Sequence, residues 1–124
     1  MHNSGLISFE PHTLSHPKLT MIPFEKAKKE ILESKSIIEK KLSKACSLFC
    51  YPHGRYNKEI IEYLKGASFS GAVTIEPGLA TLGDNRFTLK RNSIDSSNGR
   101  EEFKGKLGKS VSAFYFLKNI FKWA

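Results

Sequence analysis

Apolar and polar residues follow two different periods along this chain, and the change of period separates predicted strands from predicted helices. Short apolar runs predict strands over residues 6–10, 47–51, 69–75 and 87–94. A 3.6-residue apolar spacing predicts a helix over residues 23–42, with Pro23 in its first turn. Asn57 can cap a second helix that ends at Gly66, and a third is expected over 100–107. Alternating strands and helices indicate parallel βαβ units, whose functional loops follow the carboxyl ends of the strands.

The C-terminal segment, residues 110–124, predicts an amphipathic helix with many aromatic residues. Val111, Phe114, Leu117 and Phe121 share one helical stripe. A basic helix of this kind can lie on an anionic membrane, but terminal aromatic helices more often pack on their own domain. Packing is the interpretation that we favour.

Length and charge restrict the function classes without choosing one. A chain of 124 residues with 40% hydrophobic residues fits one globular domain. The formal net charge of +8 favours anionic surroundings. No nucleic-acid motif accompanies that charge, so any binding to nucleic acid or anionic lipid is expected to be nonspecific and salt-sensitive.

Cysteine usage and hydropathy exclude several further classes. The two cysteines, Cys46 and Cys50, rule out a disulfide-stapled scaffold and a four-cysteine zinc site. We expect both to be reduced thiols near the core. The sequence contains no run of about 18 apolar residues, so it predicts no transmembrane helix. The first residues do not resemble a signal peptide. The compartment is therefore left open.

Residues 12–17 carry the strongest chemical signal. His12 and His16 lie four positions apart, so on a helical turn their imidazoles would converge on a single ion. Neutral imidazole is a good zinc ligand, and the hydroxyls of Thr13 and Ser15 can cap the turn or orient a ring nitrogen. Taken alone, such a pair is more often part of a solvated polar loop.

The wider sequence carries a family resemblance. Residues 9–19, Phe-Glu-Pro-His-Thr-Leu-Ser-His-Pro-Lys-Leu, resemble the second motif of the NodB-homology polysaccharide deacetylases, carbohydrate esterase family 4, where a strand runs into His-[Ser/Thr]-x-x-His-Pro. Residues 49–57, Phe-Cys-Tyr-Pro-His-Gly-Arg-Tyr-Asn, are similar to the third motif of its Phe-Ala-Tyr-Pro-Tyr-Gly branch. Residues 72–78 and 87–91 resemble the strand, loop and strand that close that branch. The resemblance implies an α/β fold that forms part of a distorted (β/α) barrel, without its N-terminal strands.

The resemblance also implies a metal site. In the family a divalent metal, usually zinc, is held by two histidines, which transfer to His12 and His16, and by one aspartate. That aspartate and the general-base aspartate belong to a first motif, Thr-Phe-Asp-Asp-Gly, which has no match in this chain. Residues 1–124 are therefore expected to be the C-terminal portion of a deacetylase domain: a truncated reading frame, a processed fragment or a degenerate relative. Four acidic residues could replace the aspartate, and spacing singles out none of them: Glu10, Glu76, Asp84 and Asp95.

The implied reaction is removal of N-acetyl groups from a glycan by metal-activated water. The family's oxyanion donor is a backbone N–H that transfers to His53, and Gly54 permits the tight turn there. Tyr51, Pro52 and Gly54 are the expected substrate-binding residues. Cys50 stands where many members have an arginine, and no histidine matches the family's late general-acid position.

The resemblance implies a metal-dependent hydrolase of carbohydrate metabolism, with an N-acetylated polysaccharide or peptidoglycan-like glycan as its substrate. Two alternatives stay open: a noncatalytic remnant that binds metal or glycan, and a basic surface-binding module. A barrel without its first strands has an open sheet edge, which predicts self-association.

Overall fold

The computed structural model describes residues 4–5 and 7–107. Within them, two short parallel strands form the sheet: β1 (Leu48–Cys50) and β2 (Gly71–Val73). Leu89 continues the sheet on the far side of β2 through a single parallel bridge to Val73. The parallel arrangement predicted for the segments around Leu48, Val73 and Leu89 is confirmed.

In the described part of the chain three α-helices accompany the sheet: α1 (Phe24–Leu42), α2 (Lys58–Gly66) and α3 (Arg100–Leu107). Pro23 stands immediately before the first residue of α1 rather than inside it. The side chain of Asn57 accepts a hydrogen bond from the Ile60 N–H, so Asn57 caps α2 as predicted. Since α2 connects the parallel strands β1 and β2, residues 48–73 form the expected βαβ unit.

The core lies where α1 and α2 cover the sheet. Ile31 of α1, Phe49 of β1 and Leu64 of α2 are fully buried. The Phe49 ring packs edge-on against Tyr51 and Phe69, with centroids 5.6 and 5.7 Å apart. Because β1 is anchored in this core, the loop that follows it starts from a fixed position.

The strand predicted over residues 6–10 was wrong for the part that the structure describes, since residues 7–10 belong to no strand. The reason lies in Glu10, whose carboxylate accepts the N–H groups of Ser47 and Leu48, each at 3.0 Å. The Glu10 side chain thus accepts hydrogen bonds from backbone N–H groups that would otherwise donate to the carbonyls of a neighbouring strand. The segment touches β1 through the Cys50 N–H, which donates to the Pro11 carbonyl at 3.2 Å.

The last predicted strand, residues 87–94, is reduced to the bridge at Leu89. The Leu89 N–H donates to the Ala72 carbonyl, and the Leu89 carbonyl accepts from the Thr74 N–H. Two residues earlier, the Phe87 N–H donates instead to the Asn85 side chain. Local side-chain acceptors therefore shorten the ladder here too.

Two further expectations concern the chain as a whole. None of the helices in residues 4–5 and 7–107 has the length and apolar character needed to cross a membrane. The amphipathic helix expected over 110–124 lies outside the described residues.

Candidate active site

His12 and His16 lie in a bent loop between the N-terminal segment and α1, which we call the histidine loop (residues 12–16). Their imidazole centroids are 4.7 Å apart, and the rings meet edge to face at 66°. The predicted convergence of the rings is confirmed, but the predicted helical turn is wrong, because residues 12–16 form no helix. Instead, Thr13 (φ 66°) and His16 (φ 56°) adopt left-handed backbone conformations. Such conformations cost non-glycine residues about 1–2 kcal/mol each, so other contacts must hold the loop.

A carboxylate from α1 makes those contacts. Glu30 accepts hydrogen bonds from the N–H groups of Leu14 and Ser15, both at 2.9 Å, and from the Ser15 hydroxyl at 2.7 Å. The residue is only 8% exposed. Burial acts to raise the pKa of Glu30, but the hydrogen bonds from Ser15 and Leu14 outweigh it and leave the pKa below its usual value.

A hydrogen bond between two residues of the loop also stabilises it. The Thr13 hydroxyl oxygen accepts a hydrogen bond from the His16 N–H at 3.1 Å. The expectation that Thr13 caps this turn is therefore confirmed. Ser15, which was expected to act in the same way, turns toward Glu30 instead.

His12 is fixed to the end of β1. Its Nδ1 lies 2.8 Å from the Cys50 carbonyl oxygen. A carbonyl oxygen only accepts hydrogen bonds, so Nδ1 carries the proton, and in the neutral ring Nε2 keeps a free lone pair. That tautomer is the one in which a histidine ligates a metal while its other nitrogen is held by the protein.

The turn after β1 brings a third imidazole to the pair. Pro52–Gly54 forms a 3-10 turn in which His53 has φ 55°. The exposed His53 ring packs on His16, with centroids 4.5 Å apart and an interplanar angle of 62°. His16 therefore lies between two other histidine rings.

The backbone of this turn presents a donor next to the histidines. The Gly54 N–H donates to the Tyr51 carbonyl at 2.9 Å, and the Arg55 N–H donates to Pro52 at 3.1 Å. Within residues 4–5 and 7–107, the N–H of His53 meets no protein acceptor. Freedom from a protein acceptor is what an oxyanion donor requires.

The remaining predicted site residues support this turn. Tyr51 is fully buried, and its hydroxyl donates to the Phe87 carbonyl at 2.9 Å. Burial raises the pKa of Tyr51. Pro52 is also buried, whereas Gly54 is half-buried with φ 64°. The structure places the Tyr51 and Pro52 side chains in the interior, and substrate contact by residues 51–54 stays a prediction.

The two cysteines are free, as expected. Burial raises the pKa of the Cys50 thiol, and the positive charge of Arg91 partly opposes that shift. Arg91 is oriented by a hydrogen bond from its Nε to the Thr74 carbonyl at 2.8 Å.

The described residues provide part of the ligand set that a divalent metal ion requires. Among the described residues, no group of three or more His, Cys, Asp or Glu side chains is arranged to hold a metal. His12 and His16 supply two nitrogen donors of the type that zinc accepts. They fit as part of a metal site, and a complete ligand set is not gathered in residues 4–5 and 7–107.

Sequence reasoning missed Glu30 and the contact of the His53 imidazole with His16. The signal for Glu30 was present, because it lies three residues after Ala27 and four residues before Ser34, which are both buried positions of α1. A carboxylate on that stripe needs buried donors. For the His53 ring no such signal exists, since its contact with His16 depends on the positive φ of the turn.

Comparison with known proteins identifies the family. The model of the polysaccharide deacetylase family matches residues 1–72 of this chain, which contain the histidine loop, β1 and the turn after it. The chain belongs to the polysaccharide deacetylase family. Members of this family are generally metal-dependent.

Individual proteins that are similar to this chain are also described as deacetylases. YxkH of Bacillus subtilis (strain 168), assigned to the polysaccharide deacetylases, is 29% identical over 85 residues, which are 68% of this chain and 30% of YxkH. The Streptococcus pyogenes deacetylase PplD, solved in complex with acetate, superposes with a TM-score of 0.72 at 26% identity, covering 82% of this chain and 45% of PplD. A polysaccharide deacetylase from Bacillus cereus gives a TM-score of 0.70 at 26% identity, covering 86% and 34%. The chain thus spans less than half the length of each.

Proposed function

We propose that this chain provides the histidine pair and the oxyanion donor of a polysaccharide deacetylase, which hydrolyses N-acetyl groups of a glycan. The observation that carries the proposal is the His12–His16 pair, with ring centroids 4.7 Å apart and His12 Nδ1 held by the Cys50 carbonyl. Family membership supports the hydrolase class.

The role of the histidines is to bind a divalent cation, which we propose to be zinc. His12 is preorganised for this, because its Nδ1–H is already bonded to the protein and its Nε2 lone pair is free. A zinc ion bound there would polarise the acetamide carbonyl and lower the pKa of a water molecule. The carboxylate that takes the proton from water belongs, in the resembled family, to the Thr-Phe-Asp-Asp-Gly motif.

The turn at residues 52–54 is proposed to stabilise the developing negative charge. The His53 N–H is unoccupied among the described residues and lies in the same turn as the ring that contacts His16. A backbone donor costs no reorganisation when charge develops, which is what electrostatic stabilisation of an oxyanion requires. Gly54, with φ 64°, permits this turn.

Calorimetric zinc titration tests the histidine pair. We expect the 124-residue chain to bind zinc weakly, because stable sites use three or four protein ligands. His12→Ala and His16→Ala should abolish that binding. His2→Ala, which removes a histidine outside the described residues, is the matched control and should leave it unchanged. Binding that survives both loop substitutions would contradict the assignment.

Acetate release tests the activity. A chain preceded by a segment with the Thr-Phe-Asp-Asp-Gly motif should bind zinc tightly and deacetylate oligomers of N-acetylated amino sugars, whereas the 124-residue chain should not. Efficient deacetylation by the shorter chain would contradict the division of roles. Tight zinc binding by the extended chain without acetate release would contradict the deacetylase function.

The oxyanion donor needs a substitution that keeps the turn. Proline fixes φ near −65°, so His53→Pro would break a turn in which His53 has φ 55°. Replacing the Pro52–His53 amide by an ester removes the N–H and keeps the backbone path. In the extended chain we expect this ester to lower turnover about a hundredfold. His53→Asn keeps the N–H and tolerates positive φ, so it should retain most activity.

A further inference from the structure

Glu30 is a buried carboxylate whose charge is stabilised by hydrogen bonds from the histidine loop. No ion pair involves it within residues 4–5 and 7–107. Its charge is stabilised mainly by the hydrogen bonds of the Leu14 N–H and of the Ser15 N–H and hydroxyl, with a smaller contribution from the positive charge of Lys26. A buried charge is tolerated only when such donors surround it. Glu30 and the histidine loop therefore depend on each other.

The two carboxylate oxygens have separate roles. Oε2 accepts both backbone N–H groups, from Leu14 and Ser15, and Oε1 accepts the Ser15 hydroxyl. The backbone bonds fix the direction of the peptide units between Thr13 and His16, the two residues with positive φ. His12 precedes this segment and His16 ends it, so the distance between the two rings depends on its path.

We propose that Glu30 is a positioning residue for the histidine pair: acting through the backbone of Leu14 and Ser15, it holds the His16 imidazole at the distance from His12 at which both bind one ion. This inference rests on the proposed function. In this proposal Glu30 acts through the loop backbone and is not itself a metal ligand. Residues that orient metal ligands without binding the metal typically contribute about tenfold to a hundredfold to metal affinity.

Two variants separate the hydrogen bonds from the charge. Glu30→Gln keeps an oxygen for the two backbone N–H groups and can donate its amide to the Ser15 hydroxyl. Glu30→Ala removes all of these bonds. Glu33 is an exposed residue of the same helix and pairs with Lys29 at 3.7 Å. Glu33→Ala removes a carboxylate from α1 without touching this hydrogen-bond set, so it is the matched control.

The first measurement needs no metal. In proton NMR spectra of the 124-residue chain, nuclear Overhauser effects between the His12 and His16 rings report their contact. We expect them to be lost in Glu30→Ala, largely kept in Glu30→Gln and unchanged in Glu33→Ala. Persistence of the contact in a folded Glu30→Ala chain would overturn the proposal.

A milder variant covers the case in which Glu30→Ala does not fold. Ser15→Ala removes the hydroxyl donor and leaves the two backbone N–H groups on Oε2. We expect the ring contact to weaken in Ser15→Ala but not to disappear. A Ser15→Ala chain in which the ring contact and the zinc affinity both equal those of wild type would count against the positioning role.

The second measurement is cobalt titration followed by visible absorption, since the band positions report coordination geometry. We expect the Glu30→Ala chain to bind Co²⁺ at least about tenfold more weakly than wild type, and the Glu33→Ala chain to bind it equally well. Equal affinities in folded wild-type and Glu30→Ala chains would refute the positioning role. If wild type binds no Co²⁺ while the ring contact depends on Glu30, the proposed function fails and the positioning of the rings stands.

Discussion

The two loops that meet at His16 are held in opposite ways. The histidine loop, residues 12–16, depends on a side chain from elsewhere, the Glu30 carboxylate. The turn at residues 52–54 is closed by its own backbone hydrogen bonds and by the close packing of Gly54 on Ile75. One loop is thus sensitive to charge and pH, and the other to side-chain volume.

The largest expected effect comes from adding volume to the turn. A Cβ at position 54 would lie 2.5 Å from Ile75 Cγ1, and Gly54 has φ 64°. We expect Gly54→Ala to lower the free energy of unfolding by about 2–4 kcal/mol, measured by urea denaturation. Adding Ile75→Ala should restore the steric part and leave the backbone part.

Gly66 provides the control for this substitution. It lies at the end of α2, where an added Cβ would meet nothing within 4 Å among the described residues. Gly66→Ala should therefore be neutral or stabilising by up to about 1 kcal/mol. A Gly54→Ala chain as stable as wild type would show that packing does not fix the turn.

A second expectation concerns acid. Because the folded-state pKa of Glu30 lies below its usual value of 4.5, the carboxylate contributes stability that is present above that value and is lost as the pH falls through the lowered pKa. Between about pH 5 and pH 3, the unfolding free energy should fall more steeply with decreasing pH in wild type than in Glu30→Gln. Identical slopes would contradict the direction assigned to the pKa.

The smallest effect is expected at Thr13. Asparagine tolerates positive φ better than threonine, and its side-chain oxygen can accept the His16 N–H as the threonine hydroxyl does. Thr13→Asn should stabilise the chain by about a few tenths of a kcal/mol, whereas Thr13→Val, which keeps the branched shape and loses the acceptor, should destabilise it by about 1 kcal/mol. Thermal unfolding measures both, and the opposite ranking would contradict this account of the loop.

Local signals were sufficient to predict much of the fold. The helical spacing predicted α1 and α2, and the Asn57 cap lies where its side chain was expected to accept a backbone N–H. The apolar run around Phe49 predicted β1. These features depend on periodicity and on interactions between residues close in sequence.

The failures concern long-range partners. The helical turn predicted for His12 and His16 was wrong because Glu30, on another element, takes the N–H groups of the loop. The strand expected over residues 6–10 failed for a similar reason, since the Glu10 side chain takes the N–H groups at the start of β1. In both cases a carboxylate replaces a backbone acceptor, and periodicity contains no information about that exchange.

The roles of positions 50 and 53 have a consequence for mutational tolerance. At position 50 the carbonyl oxygen holds His12, and at position 53 the N–H is the donor left open among the described residues. Every amino acid carries the first group, and every one except proline carries the second. Side-chain replacement at either position therefore keeps these main-chain groups, but at position 53 the φ of 55° favours asparagine or glycine over β-branched residues. A library that varies position 50, and position 53 within that limit, could redirect substrate choice while the main-chain groups stay in place.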